Sequence, residues 1–341
     1  MAGRRATIKD VAAKAGVGIS VVSYVINNTP GKTISEATRE RIFAAAKELE
    51  YTPNAIARGM RIKKAMTIGL VSFWNITDLV FIEILEGVSK GAEENGYSIL
   101  LCNLNSKEDS LNYEELYKKQ IIDGIILISP HDIRKGFDEK LHVETIKKNK
   151  IPSVIINGTT KDDDVSYIYF DYFNSTYKAV EYLVNKGHRW IGYLNTYGKE
   201  MNQIPAKERL QGYKKAMSDN GLSVIEQHIF NAEEVETLCD LVLKGQGPSA
   251  LIANKSNYGH LFLKRAFERN IKIPEQISVM AANAESYSAY LFPALTTIHL
   301  PMKEIGQMAA EIMLDIIKGA MSQIKLTLPG QVEERESVKE R

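Results

Sequence analysis

The sequence predicts two parts of different class: a small all-α head of the helix-turn-helix type, then a larger α/β body of two lobes with parallel sheets. Three observations predict this. The charge is segregated. Of 341 residues with a net charge of only +1, residues 1–64 hold 12 Lys/Arg against 5 Asp/Glu, a net of +7, and the rest carries −6. The first fifty residues show helical periodicity, and from Thr67 onward apolar runs alternate with amphipathic stretches. The chain is also too long for one ordinary core.

The head opens at Thr7, with Asp10 three residues on, the pattern of a capping box. Ile8, Val11, Ala12 and Ala15 fall on one helical face. Gly16 permits the positive φ of a tight turn. A second short helix follows, with Val21, Val22 and Val25 available for its inner side. The order Ala12, Gly16, Val22 suits two helices crossing steeply: a small residue at the approach, a glycine at the corner, an apolar plug in the joint. Such a pair sets its second helix in the major groove. The outward side chains there are Ile19, Ser20, Ser23 and Tyr24. Ser35 caps a third helix, whose stripe is Ile42, Ala45, Ala46 and Leu49. A basic head on an acidic body points to a nucleic-acid partner for the head alone.

Between head and body lies Tyr51–Arg61. Pro53 suits a first helical turn. Two turns containing Gly59 are marginal in water, so this segment is expected to order only when something holds it.

In the body, strands are expected at Ile68–Ser72, Ser98–Asn103, Gly124–Ser129, Ser153–Asn157, Tyr167–Asp171, Trp190–Leu194, Ala250–Lys255, Ser278–Asn283 and Leu295–His299, with Val332–Val338 a last edge strand. Helical stretches include Phe81–Glu94, Asn174–Lys186, Ala206–Asn220 and Lys303–Lys318. Repeated β-α-β units build parallel sheets covered on both faces, and so many strands suggest two lobes. Ligands in such folds bind beyond the carboxyl ends of the strands.

Several classes fit poorly. No apolar run is long enough for a membrane span, and the start lacks the apolar segment of a secretory signal. A cytoplasmic protein is expected, with Cys102 and Cys239 as reduced thiols matching no metal spacing. No G-x-S-x-G, P-loop or dinucleotide fingerprint occurs. His188, His260 and His299 are isolated. Binding without catalysis, with no cofactor and no metal, is the expectation.

The stretches "TIKDVAAKAGVGISVVSYVINN", "ISEATRERI" and "YTPNAIARGM" closely resemble the head of the lactose-repressor/galactose-repressor family, and the likeness continues through the body. The resemblance implies a transcription regulator, most often a repressor, that binds a palindromic double-stranded DNA operator as a homodimer. A carbohydrate-like small molecule would shift its operator affinity. It implies a periplasmic-binding-protein-like body whose lobes interleave. The expected division is a head at 1–52, a hinge at 53–65, an N-terminal lobe at 66–164 plus 294–321, and a C-terminal lobe at 165–293 plus 322–339. No heptad run follows, so a dimer is the expected assembly. Whether a co-regulator protein takes part is not legible.

Residue by residue, the resemblance makes Ile19, Ser20 and Tyr24 base-reading positions and Thr7, Ser23 and Asn27 backbone-contacting ones. In the hinge, Asn54, Ala57 and Met60 fall at minor-groove positions, Met60 where the family usually wedges Leu between base pairs. Two positions depart from the pattern. Gly18 replaces a capping Ser, and Tyr24 stands where many members carry a guanine-reading Arg. For the effector, the resemblance points to Arg209, Asp171 and Asn254, with the aromatic residues Phe73, Trp74 and Phe81 after the first strand. Three further positions depart: Asn157 and Asn283 where Asp is common, and Lys255, in Asn254-Lys255, where the Asp of an Asn-Asp pair is common. If all three line the cleft, its charge shifts by about four units toward positive. An anionic sugar derivative held by Arg209 and Lys255 is then the expectation.

Overall fold

A computed structural model describes residues 6–27, 29, 31–52, 64–74, 77–103, 112–130, 137–158, 164–198, 201, 203–321 and 323–341. The chain divides into two compact units, 1–65 and 66–341.

The first unit holds α1 (Ile8–Ala15), α2 (Ile19–Ile26) and α3 (Glu36–Glu48). Thr7 caps α1, and Asp10 reaches back to accept from both its N–H and its hydroxyl, each at 2.7 Å. Gly16 turns the corner at φ 66°. The glycine matters because a side chain is strained in that left-handed region. Val11, Ala12, Ala15, Val22, Val25, Ile42 and Ala45 close one small core. Val21, Ala46 and Leu49 are only partly buried at its rim. The expected hinge contacts Asn54, Ala57 and Met60 lie outside the described residues.

The second unit is built on two six-stranded sheets. The first sheet takes β1 (Thr67–Ser72), β2 (Ser98–Asn103), β3 (Gly124–Ile128), β4 (Ser153–Ile156), β5 (Ser166–Asp171) and β11 (Lys325–Pro329), in the order β11-β5-β4-β3-β1-β2, all parallel. The second takes β6 (Ile191–Leu194), β7 (Ile229–Phe230), β8 (Ala250–Ala253), β9 (Ser278–Ala281), β10 (Thr296–His299) and β12 (Gln331–Glu333), in the order β12-β10-β9-β8-β6-β7. Its strands are parallel except β12, which runs antiparallel to β10.

Helices cover both faces of each sheet, because the strands are apolar on both sides. On the first sheet, α4 (Leu79–Glu93) and α11 (Met302–Lys318) cover one face, and α5 (Asn112–Lys118) and α6 (Glu139–Asn149) the other. On the second, α7 (Tyr172–Asn185) and α8 (Ile204–Asp219) lie opposite α9 (Val235–Leu243) and α10 (Ser256–Glu268). The α4–α11 crossing is close because glycines meet backbone there. A Cβ on Gly87 would fall 1.8 Å from the Lys303 carbonyl, and one on Gly306 2.2 Å from that of Ile84.

The lobe boundaries differ from the expected ones. Residues 166–171 stay in the first sheet, because β5 pairs with both β4 and β11. Residues 296–299 belong to the second sheet, because β10 pairs with β9. The chain therefore crosses between lobes at Asp171–Tyr172, between β10 and α11, and again at Gly330 between β11 and β12. The first lobe is 66–171 plus 301–329, and the second is 172–300 plus 331–339. The expected edge strand at 332–338 is reduced to β12. Beyond it, the Ser337 hydroxyl accepts from the Thr296 N–H at 2.8 Å and donates to the Val279 carbonyl at 2.6 Å. Among the described residues, no helix is long and apolar enough to cross a membrane.

Candidate DNA-reading surface and effector site

In the first unit, α2 presents Ile19 and Ser20 outward, Ile19 at 46% exposure despite its apolar side chain. An exposed Ile at the first turn of a short helix contributes nothing to the core, so it is available to a partner. Tyr24 is partly exposed, with the Lys32 ammonium 5.2 Å from its ring centroid. Asn27 ends α2 and donates from Nδ2 to the Ser23 carbonyl at 2.7 Å. Thr7 and Asn27 therefore have local structural duties besides any contact to DNA. Gly18 caps α2 with no side-chain bond to its first turn.

In the body, the polar residues just past the strand ends gather around Arg209. This residue sits on the buried face of α8, one turn in from its start, and is only 4% exposed. Its Nη1 donates to the Asn254 Oδ1 at 3.3 Å. Its guanidinium lies 4.7 Å from the centroid of the Tyr172 ring. Its Nε has no hydrogen-bond partner. Tyr172 opens α7, and its hydroxyl donates to the Asn157 Oδ1 at 2.8 Å. Asn157 follows β4 at φ 64°, a left-handed conformation that Asn tolerates better than most residues. Asn254 follows β8 and donates from Nδ2 to the Tyr193 hydroxyl at 2.8 Å and towards the Asn195 Oδ1 at 3.4 Å. The Thr196 hydroxyl, next to Asn195, is buried without a partner.

Burial dominates the electrostatics. It pushes the Tyr172 and Tyr193 phenols well above their usual range, so both stay protonated, and it lowers the Arg209 guanidinium. The neighbouring Glu208 accepts from the Tyr169 hydroxyl at 2.6 Å, which links β5 of the first lobe to α8 of the second. Its carboxyl is raised, chiefly by burial.

The structure thus brings together Arg209, Asn254 and Asn157 from the expected set. Asp171 adjoins them but caps α7, accepting from the Asn174 N–H at 2.9 Å and its Nδ2 at 2.6 Å. Trp74 is buried after β1, with Nε1 donating to the Ser129 carbonyl at 2.8 Å. Phe81 is taken by the core under α4. Phe73 packs edge-on against Phe137 at 4.7 Å and His142 at 5.3 Å, on the opposite face of the sheet. The core claims both rings. Asn283 is also occupied: its Oδ1 accepts from the Ser256 N–H at 2.6 Å, at the start of α10. Lys255 caps the same helix, within the field of Glu285. Of the three departures only Asn157 joins the Arg209 cluster, so the expected shift of cleft charge is reduced there to one missing carboxylate. Tyr172, Tyr193, Asn195 and Thr196 were missed, though each directly follows or sits on a strand, where the rule of carboxyl ends would have found them.

Of the isolated histidines, His188 has a packing role. His188 is buried, with Nδ1 3.0 Å from the Ser249 hydroxyl and Nε2 3.1 Å from the Lys339 carbonyl. Among the described residues, no group of three or more His, Cys, Asp or Glu is placed to hold a metal ion.

Comparison with known proteins agrees with both halves. Residues 7–54 match the model of bacterial regulatory proteins of the lacI family, and residues 180–338 that of the periplasmic binding protein-like domain. The chain is 30% identical over 319 residues to an HTH-type transcriptional repressor PurR of Vibrio atlanticus (strain LGP32), covering 92% of each. It is 31% identical to the PurR of Vibrio vulnificus (strain CMCP6), again over 92% of each. Among solved structures, the lac repressor dimer bound to operator and the anti-inducer ONPF matches with a TM-score of 0.76 at 22% identity, over 98% of this chain and 99% of that one. A complex of the transcriptional regulator CelR with cellobiose matches at 0.65 and 25% identity, over 98% and 100%. The chain belongs to the lacI family of bacterial regulatory proteins, as a helix-turn-helix transcription repressor with a periplasmic-binding-protein-like body.

Proposed function

We propose that this repressor binds a palindromic operator as a homodimer in the cytoplasm, and that a small carbohydrate-like molecule held around Arg209 shifts its operator affinity. The observation that carries this is the buried Arg209 cluster at the carboxyl ends of the strands. A guanidinium stripped of water with an idle Nε is costly unless a ligand completes it. The cluster draws on Asn157 from the first lobe and on Arg209, Asn254 and Tyr193 from the second. A ligand bound there bears on both lobes, and any preference for one lobe arrangement shifts the population towards it.

Dimerisation is supported by a patch on the second lobe. Phe267, Tyr290 and Phe292 are 82%, 86% and 91% exposed, and Leu291 joins them. Phe267, Leu291 and Phe292 border a cavity of about 340 Å³ with His260, Leu263 and Lys264. Aromatic residues exposed to this degree mark an interaction surface. The CelR complex with cellobiose and the operator-bound lac repressor dimer fit the same reading.

Selection from a randomised duplex pool, followed by fluorescence anisotropy and sedimentation, tests it. A two-fold symmetric consensus bound by two protomers is expected, with Tyr290→Ser/Phe292→Ser weakening both self-association and binding. An asymmetric consensus bound by one protomer would refute it.

A further inference from the structure

We infer that the effector carries an anionic group, a carboxylate or a phosphate, that pairs with Arg209. This deepens the proposed function and rests on it. The ground is an incomplete charge balance. Arg209 is buried and charged, yet no carboxylate lies within ion-pair distance of it among the described residues. The two acids nearby are engaged elsewhere: Glu208 with the Tyr169 hydroxyl at 2.6 Å, and Asp171 with Asn174. The groups in direct contact with the guanidinium are neutral, the Tyr172 ring and the Asn254 amide, with Asn157, Tyr193 and Asn195 beyond them; the Glu208 carboxyl acts on it only from beyond ion-pair distance. A buried charge is normally paired, and one left unpaired is expensive.

Hydrogen bonding is uneven across the guanidinium. Nη1 is bonded to Asn254, while Nε has no partner. The fork of an arginine suits two oxygens of a planar carboxylate or a phosphate. A neutral sugar hydroxyl would satisfy the idle donor but leave the charge unbalanced. The partnerless hydroxyl of Thr196 and the amides of Asn157 and Asn195 supply neutral groups for the rest of a polyhydroxylated molecule.

The test uses the full chain and matched probes: glucose and galactose, their acids gluconate, glucuronate and galacturonate, glucose 6-phosphate, and inorganic phosphate as the simple-ion control. Thermal melting and operator anisotropy are read for each. At about a hundredfold excess over Kd, an anionic sugar is expected to raise Tm by about 5 °C, with its neutral parent and inorganic phosphate giving no response. Carboxylate and phosphate members separate the two anion types. Arg209→Gln should lose at least about tenfold in affinity for the anion, and Arg209→Lys should keep part of it. Asn254→Asp sets a carboxylate where the amide oxygen now accepts from Arg209. It should raise the melting temperature of the ligand-free protein and abolish the anion response, and this arm stands even if Arg209→Gln does not fold.

Equal stabilisation by a neutral sugar, an anion response that survives both Arg209→Gln and Asn254→Asp, or a panel in which no anion stabilises the protein would each overturn the inference. A neutral sugar that stabilises the protein and shifts operator affinity would leave the regulator reading intact while removing the anion. An anion that stabilises the protein without changing operator affinity would keep the anion and remove the sensing role.

Discussion

Replacing Gly212 by Ala sets a methyl group against the backbone of Phe173. The added Cβ would lie 2.2 Å from the Phe173 carbonyl oxygen and 3.0 Å from its carbon. Ordinary contact begins at 3.4 Å, so α8 must separate from α7 by about 1 Å at this point. Arg209 lies one turn upstream on the same buried face of α8, and Tyr172 lies at the start of α7. That movement stretches the 3.3 Å bond from Arg209 to Asn254 beyond hydrogen-bond range and lifts the guanidinium from the Tyr172 ring. Overpacking of this kind costs about 1–3 kcal/mol, offset by about 0.5–1 kcal/mol that Ala gains over Gly in a helix. The net loss is on the order of 1–2 kcal/mol, a fall in Tm of roughly 2–5 °C for a body of this size. Differential scanning calorimetry of the full chain reads it, and a double-mutant cycle with Arg209→Met tests whether the strain acts through the guanidinium. A melting temperature that rises, as helix propensity alone would dictate, together with strict additivity in the cycle, would refute the reasoning.

Other outcomes follow from the same geometry. Gly18 sits at the N-cap of α2 in extended backbone with nothing within 4 Å of an added Cβ, so Gly18→Ser should stabilise the head by a few tenths of a kcal/mol, read by urea melts. Met60→Ala should weaken specific operator binding and reduce DNA bending while sparing head folding; unchanged affinity and bending would remove the minor-groove reading. His142 is buried, with Nδ1 3.0 Å from the Tyr113 hydroxyl, and burial lowers it from 6.5 to about 4. The folded state therefore binds fewer protons than the unfolded state between those values. Its contribution is complete above pH 6.5 and is lost as pH falls towards 4, about 3 kcal/mol in all. His142→Gln should flatten that part of the stability profile, and an unchanged slope in urea melts at pH 4.5 and 7 would count against it.

Much of the molecule was legible locally. The corner at Gly16, the inner faces of the head helices and nine of the body strands are written in short-range patterns of polarity and glycine placement, and the structure places them within a residue or two. β7 escaped because two residues carry no periodicity, and β11 because its alternation is that of a half-exposed edge. The effector site was legible in part. Arg209, Asn254 and Asn157 meet as expected, but Phe73 and Phe81 went to the cores on opposite faces of the first sheet, and Asn283 to the start of α10.

By itself, then, the sequence determined the division into a basic helical head and an α/β body, the helix-turn-helix, and the set of strands and helices, because each depends on neighbours a few residues away. Only the tertiary structure decided which sheet β5, β10 and β11 join, since a strand's membership depends on the partner it pairs with and its own residues do not name that partner. It also decided which charge stays unbalanced. Lys255 and Asn283 departed from the family pattern as conspicuously as any residue, yet it is Arg209, an expected residue, that lies buried without an acid, because ion pairing depends on side chains that meet across helices and lobes.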